Sequence, residues 1–436
     1  MIWRKDPNAF QTKLSYNYIA MKTVSILLFF SCLLMLFAGC RTANTGTFLC
    51  NPNLTRWQGT NQAQVVSRSI MTIFPYRDRL YVSGGEWNAN TGPCPIFSID
   101  PETGAFTNEY TAGTETVWYY RPASDGSLYV PGVDIKEGSK ARAPLFRRDP
   151  DGVWTNLNIV PKGSIAELGG QGYSMHTWDA VCWKGKVFTA GYGIGIGPEG
   201  TTEKMKEGTP GLTDARLRYS FIDTNGQERV QQVYRRFYSF FPFEDALYCF
   251  PGALTRTNIN SRLEIEQWRY NEETGVFDCA TNSLDKVCPG YRLPMFSVFW
   301  HATPIRDRVL FIAGPESQRC PPGFLYSASH EDGMVRSEKI DLGKRVHAVC
   351  ISAYEDKVGV LAYTRNKEKI ENTIWETRDG TNFQKAVTFE SAYPPSSFTK
   401  HKGTYYFAIG ATRFNANRVG KDSGGIYKLA PRGFWM

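Results

Sequence analysis

Two strand-and-turn elements, each recurring seven times in strict alternation, predict an all-β chain folded as a seven-bladed β-propeller. The first is a strand running into a polar turn that ends in glycine: IFSIDPETG at Gly104, LFRRDPDG at Gly152, YSFIDTNG at Gly226, QWRYNEETG at Gly275, LYSASHEDG at Gly333, TIWETRDG at Gly380 and IYKLAPRG at Gly433. The second lies upstream of each and reads apolar strand, tight turn, strand, as in IFPYRDRLYVSGG from Ile73, AVCWKGKVFTAG from Ala180 and ATPIRDRVLFIAG from Ala302. Arg-Asp, Asp-Gly and Lys-Gly pairs between alternating apolar runs are hairpin turns. Composition agrees, with 40 glycines, 14% aromatic residues and few apolar stripes of helical period.

Ring closure follows from the two ends of the repeat array. Gly433-Phe434-Trp435-Met436 stands just past the third strand of the last blade, and Gln62-Ala63-Gln64-Val65-Val66 precedes the first inner strand without a blade of its own. The expectation is that residues 60–68 complete the last blade as its outer strand, which removes two raw sheet edges.

From Met21 the chain reads MKTVSILLFFSCLLMLFAGC: a basic start, an apolar run shorter than the ~20 residues of a membrane span, then small residues before Cys40. This segment resembles the signal and lipobox of bacterial lipoproteins, with Phe37 where that family usually has Leu. The resemblance implies cleavage before Cys40 and lipidation of its thiol. Arg41 rather than Asp after the cysteine implies the outer membrane or cell surface. The expected division is 1–20 upstream of the true start, 21–39 signal peptide, 40–60 lipid-anchored tether and 61–436 propeller. Membrane lipid is therefore the first expected partner.

Residues 1–39 carry four basic residues and one acid, so removing them lowers the net charge from +8 to +5. No dense Lys/Arg block remains, and a nucleic-acid groove needs one. Export permits disulfides; Cys279 and Cys288 bracket one short loop and are the candidate pair, while Cys182 and Cys350 sit in apolar strands as free thiols.

Thr377-Arg378-Asp379-Gly380-Thr381-Asn382-Phe383 resembles the Asp-box turn of sialidase-like repeat propellers, and DPDGVW ending at Trp154 is a looser version. That resemblance implies a hairpin lock and supports the fold; it does not imply catalysis.

Propeller ligands usually meet the face where inner strands begin, opposite the tight turns. Registering the repeats on those turns puts His176, His301, His347, Arg121 and Arg236 near that face, with Glu86, Trp87 and Tyr192 after the second strands. Three imidazoles suit a divalent metal, as in histidine-rich propeller enzymes, but His301 falls deeper in its strand than the others; no cofactor is the expectation. Glu86, Asp134, Asp179 and Glu316 are acids on the same face, and a glycosidase needs two of them about 5–9 Å apart. Trp87, Trp118, Trp178 and Trp300 suggest stacking platforms for sugar rings, and the Gly193–Arg216 insertion suggests a lid. The function expected is a non-enzymatic envelope binder of a glycan or an envelope protein through this aromatic, His- and Arg-bearing face. The alternatives are a polysaccharide-active hydrolase or lyase on the same face, and a structural assembly scaffold.

Overall fold

A computed structural model describes residues 46–85, 91–136, 144–157, 172–195, 217–222, 228–233, 237–251, 264–291, 297–315, 323–366, 369–411 and 416–429. The expected leader, Cys40 and the candidates Glu86, Trp87, Arg236 and Glu316 lie outside these residues, as does most of the expected lid.

Among the described residues the strands pair antiparallel into seven sheets. In chain order, the first sheet is Ile73–Tyr76, Arg79–Ser83, Cys94–Ile99 and Phe106–Ala112. The second has a broken inner strand, Thr114–Val117 and Arg121–Pro122, followed by Leu128–Ile135, Leu145–Arg148 and Trp154–Asn156. The third is Gly172–Trp183, Lys186–Gly195, Leu217–Ile222 and Glu228–Val233, and the fourth Phe237–Pro242, Leu247–Pro251, Glu264–Asn271 and Val276–Ser283. The fifth is Ser297–Ile305, Arg308–Pro315, Phe324–Glu331 and Met334–Lys339, and the sixth His347–Tyr354, Lys357–Asn366, Lys369–Thr377 and Gln384–Ser391. The seventh is Pro395–His401, Thr404–Ile409 and Ile426–Leu429, completed by Thr47–Cys50 from the other end of the chain. The fold is an all-β propeller.

Counting the regular four-stranded blades gives six, where the repeats predict seven. The second sheet departs from a regular blade: its inner strand breaks at Trp118-Tyr119-Tyr120, and both pieces pair with Leu128–Ile135. All three aromatics are buried. A strand alternates its side chains between two faces, so burying three consecutive large rings requires the pleat to break.

The strand added to the seventh sheet is not the one expected. Residues 62–67 form a short helix, because the Asn61 side chain accepts a hydrogen bond from the Gln64 N–H (3.0 Å) and caps it. Val65 and Val66 then bury their side chains against the last sheet's core, which includes Phe407, Ile409 and Val419. Thr47–Cys50, expected to be part of a tether, pairs with Ile426–Leu429 instead. Around it, Asn51 donates to the Ser423 carbonyl (2.9 Å), buried Arg68 donates to the Gly420 carbonyl (2.8 Å), and the Ser396 hydroxyl donates to the Ile70 carbonyl (2.7 Å).

The recurrent turns explain themselves in backbone terms. Lys184-Gly185 and Lys402-Gly403 take left-handed φ values of 46° and 73°, and 47° and 80°, the pairing a type I′ hairpin requires. In the Asp379 turn, the carboxylate accepts from the Thr381 N–H (2.9 Å), the Asn382 N–H (2.8 Å) and the Asn382 side chain (2.7 Å). The Thr377 hydroxyl accepts from the Gly380 N–H at 3.0 Å. These bonds hold the hairpin closed, the role its sequence suggested. Cys279 and Cys288 do not pair with each other. Cys279 faces solvent from an outermost strand, while Cys288 follows the helix Leu284–Val287 into the core, so the two thiols point to different environments.

Candidate functional site

The innermost strands of all seven sheets contribute to one cavity of about 550 Å³. Ile73 and Phe74 come from the first sheet, Arg121 and Pro122 from the second, Asp179 to Trp183 from the third and Phe240 and Pro242 from the fourth. His301 to Pro304, Cys350 to Ala353 and Phe398 complete it from the fifth, sixth and seventh. Glu244 and Arg306 stand beside the hairpin turns and are exposed. The cavity therefore lies toward the tight turns, the end opposite to the one expected from sequence.

At the expected end the channel is filled. Trp118 packs on Trp178 with ring centroids 4.5 Å apart and on Trp300 at 5.1 Å; Trp178 stacks on Tyr238 at 4.8 Å. Trp118 and Trp300 belong to the second and fifth sheets, which are not neighbours in sequence order, so these rings meet across the middle. Trp118 is 3% exposed and Trp178 1%. They form an aromatic plug and are not open platforms for sugar rings. Their large apolar area gains more from mutual burial than from exposure.

The three candidate histidines are not brought together. His176 is buried beside Trp178 and its Nε2 pairs with Asp134, which holds a left-handed φ of 57°. His347 is half-buried against Tyr363 (5.6 Å), with burial lowering its pKa. Among the described residues no three His, Cys, Asp or Glu side chains converge as a metal site would require. Tyr192 lies opposite His176 in the strand pairing.

Of the expected site residues, the cavity gathers Arg121 and His301, and with them the acid Asp179. The Arg121 Nε and one Nη both donate to Asp179 Oδ1 at 2.8 Å. The Ala180 N–H adds a bond to that oxygen at 2.9 Å, and the Phe240 N–H reaches Oδ2 at 3.2 Å. The Asp179 side chain is only 1% exposed against 21% for Arg121, so the cation is the more accessible member of the pair. Burial pushes the Asp179 carboxyl upward in pKa, with Arg121 pulling the other way. The guanidinium also lies over the Tyr119 ring, 4.4 Å from its centroid.

His301 sits beside this pair. Its N–H donates to the Tyr119 hydroxyl (3.4 Å), its ring meets Tyr119 edge-on at 5.6 Å, and its φ is a left-handed 54°. Burial first, and the Arg121 charge second, push the imidazole pKa down to about 3, so it is neutral at physiological pH. Cys182 and Cys350 also line the cavity, and burial pushes both thiols up to about 12. Glu244, Arg306 and Phe74 were not singled out from sequence. Their position next to hairpin turns on inner strands was the available signal.

Sheet irregularities explain which residues reach the cavity. The inner strands of the third to seventh sheets all shift register, at Thr177/Asp179 (after an earlier shift at Tyr173/His176), Phe237/Ser239, Trp300/Thr303, Ala348/Cys350 and Pro395/Ser397. A bulge re-aims the side chains that follow it, and here it separates plug residues from cavity residues.

No family model matches the chain, and none of the curated proteins matches it in sequence. Among solved structures it is similar to an acylaminoacyl peptidase from Pyrococcus horikoshii, with 10% identity and a TM-score of 0.43, over 78% of this chain and 49% of that one. It is also similar to a 6-phosphogluconolactonase-like protein from Bacteroides uniformis, with 14% identity and a TM-score of 0.44, over 76% and 90%. BamB from Moraxella catarrhalis gives 10% and 0.33 over 82% and 94%. The chain spans about half the length of the peptidase it resembles. At these identities the likeness is one of fold, and the propeller assignment rests on the strand pairing itself.

Proposed function

We propose that this chain is a non-enzymatic binding propeller of the bacterial cell envelope, anchored through a lipidated Cys40, that takes its ligand into the central cavity. The ring is closed by Thr47–Cys50. The ligand is small enough to enter, either free or as the tip of a glycan or partner protein. One observation carries this reading: inner strands of every sheet converge on one cavity of about 550 Å³, within the ~300–1,000 Å³ of small-molecule sites. Binding is favoured over catalysis because the acid there, Asp179, is occupied by four donors, and the thiols are held neutral. A polysaccharide-active enzyme would need that acid released.

The test is a fragment screen by thermal shift on the full chain and on Ala353→Trp. Ala353 is exposed and lines the cavity, so the indole blocks entry without disturbing the core. Hits abolished by the substitution support the reading. Hits that bind both proteins alike, or turnover of any hit, overturn it.

A further inference from the structure

We propose that the cavity selects a ligand with a carboxylate head on an apolar or aromatic body, and that Arg121 binds the head. This rests on the reading of the cavity as a ligand site and names the chemistry that the site takes. Three observations carry it. Arg121 spends its Nε and one Nη on Asp179, and its other Nη has no hydrogen-bond partner among the described residues. That group belongs to a side chain 21% exposed, and the surface available to it is the cavity.

The guanidinium is also held in place. Asp179 grips one edge and the Tyr119 ring covers one face at 4.4 Å. A planar fork fixed on two sides presents its remaining N–H groups in one direction, which suits a planar acceptor. Charge-assisted bonds of this kind are about twice as strong as neutral ones, and here the ligand would not have to order the arginine.

The walls above the head group are apolar. Phe74, Val181, Pro242 and Pro304 are accessible or half-buried lining residues, and the aromatic plug closes the channel beyond the floor. A ligand charged along its whole length would lose hydration there without replacement. Asp179 is 1% exposed and its charge is already met by Arg121 and by the Ala180 and Phe240 N–H groups, so it opposes an incoming anion less than a free carboxylate would.

His301 reports on the head group. Arg121 and Tyr119 act on it directly, and Asp179, Cys182, Glu244, Arg306 and Cys350 are other titratable groups lining the cavity. Arg121 is the charge that lowers its pKa. A carboxylate seated on Arg121 offsets that charge, so the imidazole titration moves upward.

The experiment compares 3-phenylpropionate, 3-phenylpropanamide and 3-phenylpropanol by calorimetry on the full chain, with His301 followed by NMR. The expected result is at least tenfold tighter binding of the acid, a rise in the His301 pKa with the acid alone, and loss of the preference in Arg121→Lys. That variant keeps the charge opposite Asp179 and so keeps the fold. Equal binding of all three compounds, each lost in Ala353→Trp, overturns the carboxylate proposal and leaves the cavity reading standing. Acid binding that leaves His301 unmoved also overturns it. Silence from all three overturns this proposal, and a silent fragment screen alongside it overturns the cavity reading as well.

Discussion

Glu376 ties the sixth sheet to the seventh, and its removal has a pH signature that the structure sets. From the sixth sheet it accepts bonds from Lys357 (2.7 Å) and Tyr354 (3.2 Å); from the seventh it accepts from Tyr405 (2.5 Å) and Lys400 (3.3 Å). Its side chain is 10% exposed. Burial alone would raise its pKa, but Lys357, Tyr405 and Lys400 outweigh that and hold it at about 2 rather than 4.5. A depressed carboxylate stabilises the fold above its unfolded pKa, and that stability is lost as pH falls through the folded value. A shift of this size corresponds to about 3 kcal/mol at neutral pH, falling to about 1.4 kcal/mol by pH 3.

Glu376→Gln keeps the shape and removes the charge. The assay is the melting temperature of wild type and variant from pH 7 to pH 3. For a chain of this length about 3 kcal/mol corresponds to roughly 3–6 °C. The expected gap is of that order at pH 7 and less than half as large at pH 3. A gap that stays constant with pH would refute the electrostatic account, because a packing defect does not titrate. A variant as stable as wild type at pH 7 would show that the two lysines find water as good a partner as the carboxylate.

Other perturbations test separate parts of the molecule. Trp178→Ala empties the centre of the plug and should cost about 3–5 kcal/mol in denaturant titration; a cost under about 1 kcal/mol would mean the plug packs loosely. Deleting residues 46–51 leaves the Ile426–Leu429 edge unpaired, so association and a lower melting temperature are expected. An unchanged monomer would show that this strand does not close the ring. Asp379→Ala breaks the hairpin lock in the sixth sheet and should lower the melting temperature by about 2–4 °C without altering fragment binding; a binding change would tie that turn to the cavity.

How much of this was legible in sequence depends on the range of the physics involved. Hairpin turns are local, so Lys184-Gly185, Lys402-Gly403 and the Asp379 lock read correctly from a few residues. The pairing of Thr47–Cys50 with Ile426–Leu429 is not local. The choice between 47–50 and 62–66 as the added strand turned on one side-chain cap: Asn61 commits the following residues to a helix. The broken inner strand of the second sheet was visible as Trp118-Tyr119-Tyr120, three large rings in succession. Trp118 suggested a stacking platform because alternation cannot say whether such a run breaks the strand to bury itself.

The cavity lies at the other end of the channel from the expected face for a related reason. Counting along inner strands assumes that the pleat is uninterrupted, and five of these strands carry a register shift. Trp300 and His301 show the consequence. In an unbroken strand, neighbours in sequence point to opposite faces of the sheet. Instead, the shift between Trp300 and Thr303, with the left-handed φ at His301, sends Trp300 into the plug and His301 into the cavity. That is why His301 looked out of register with His176 and His347. The misfit was the signal: a bulge beside a cavity re-aims a side chain at the cost of one irregular backbone position. The same device recurs at one level of the channel in the third to seventh sheets. It divides each inner strand into a part that fills the axis and a part that leaves it open. The polar residues at those shifts, Asp179 and His301 among them, are therefore the ones to substitute first when the ligand is sought.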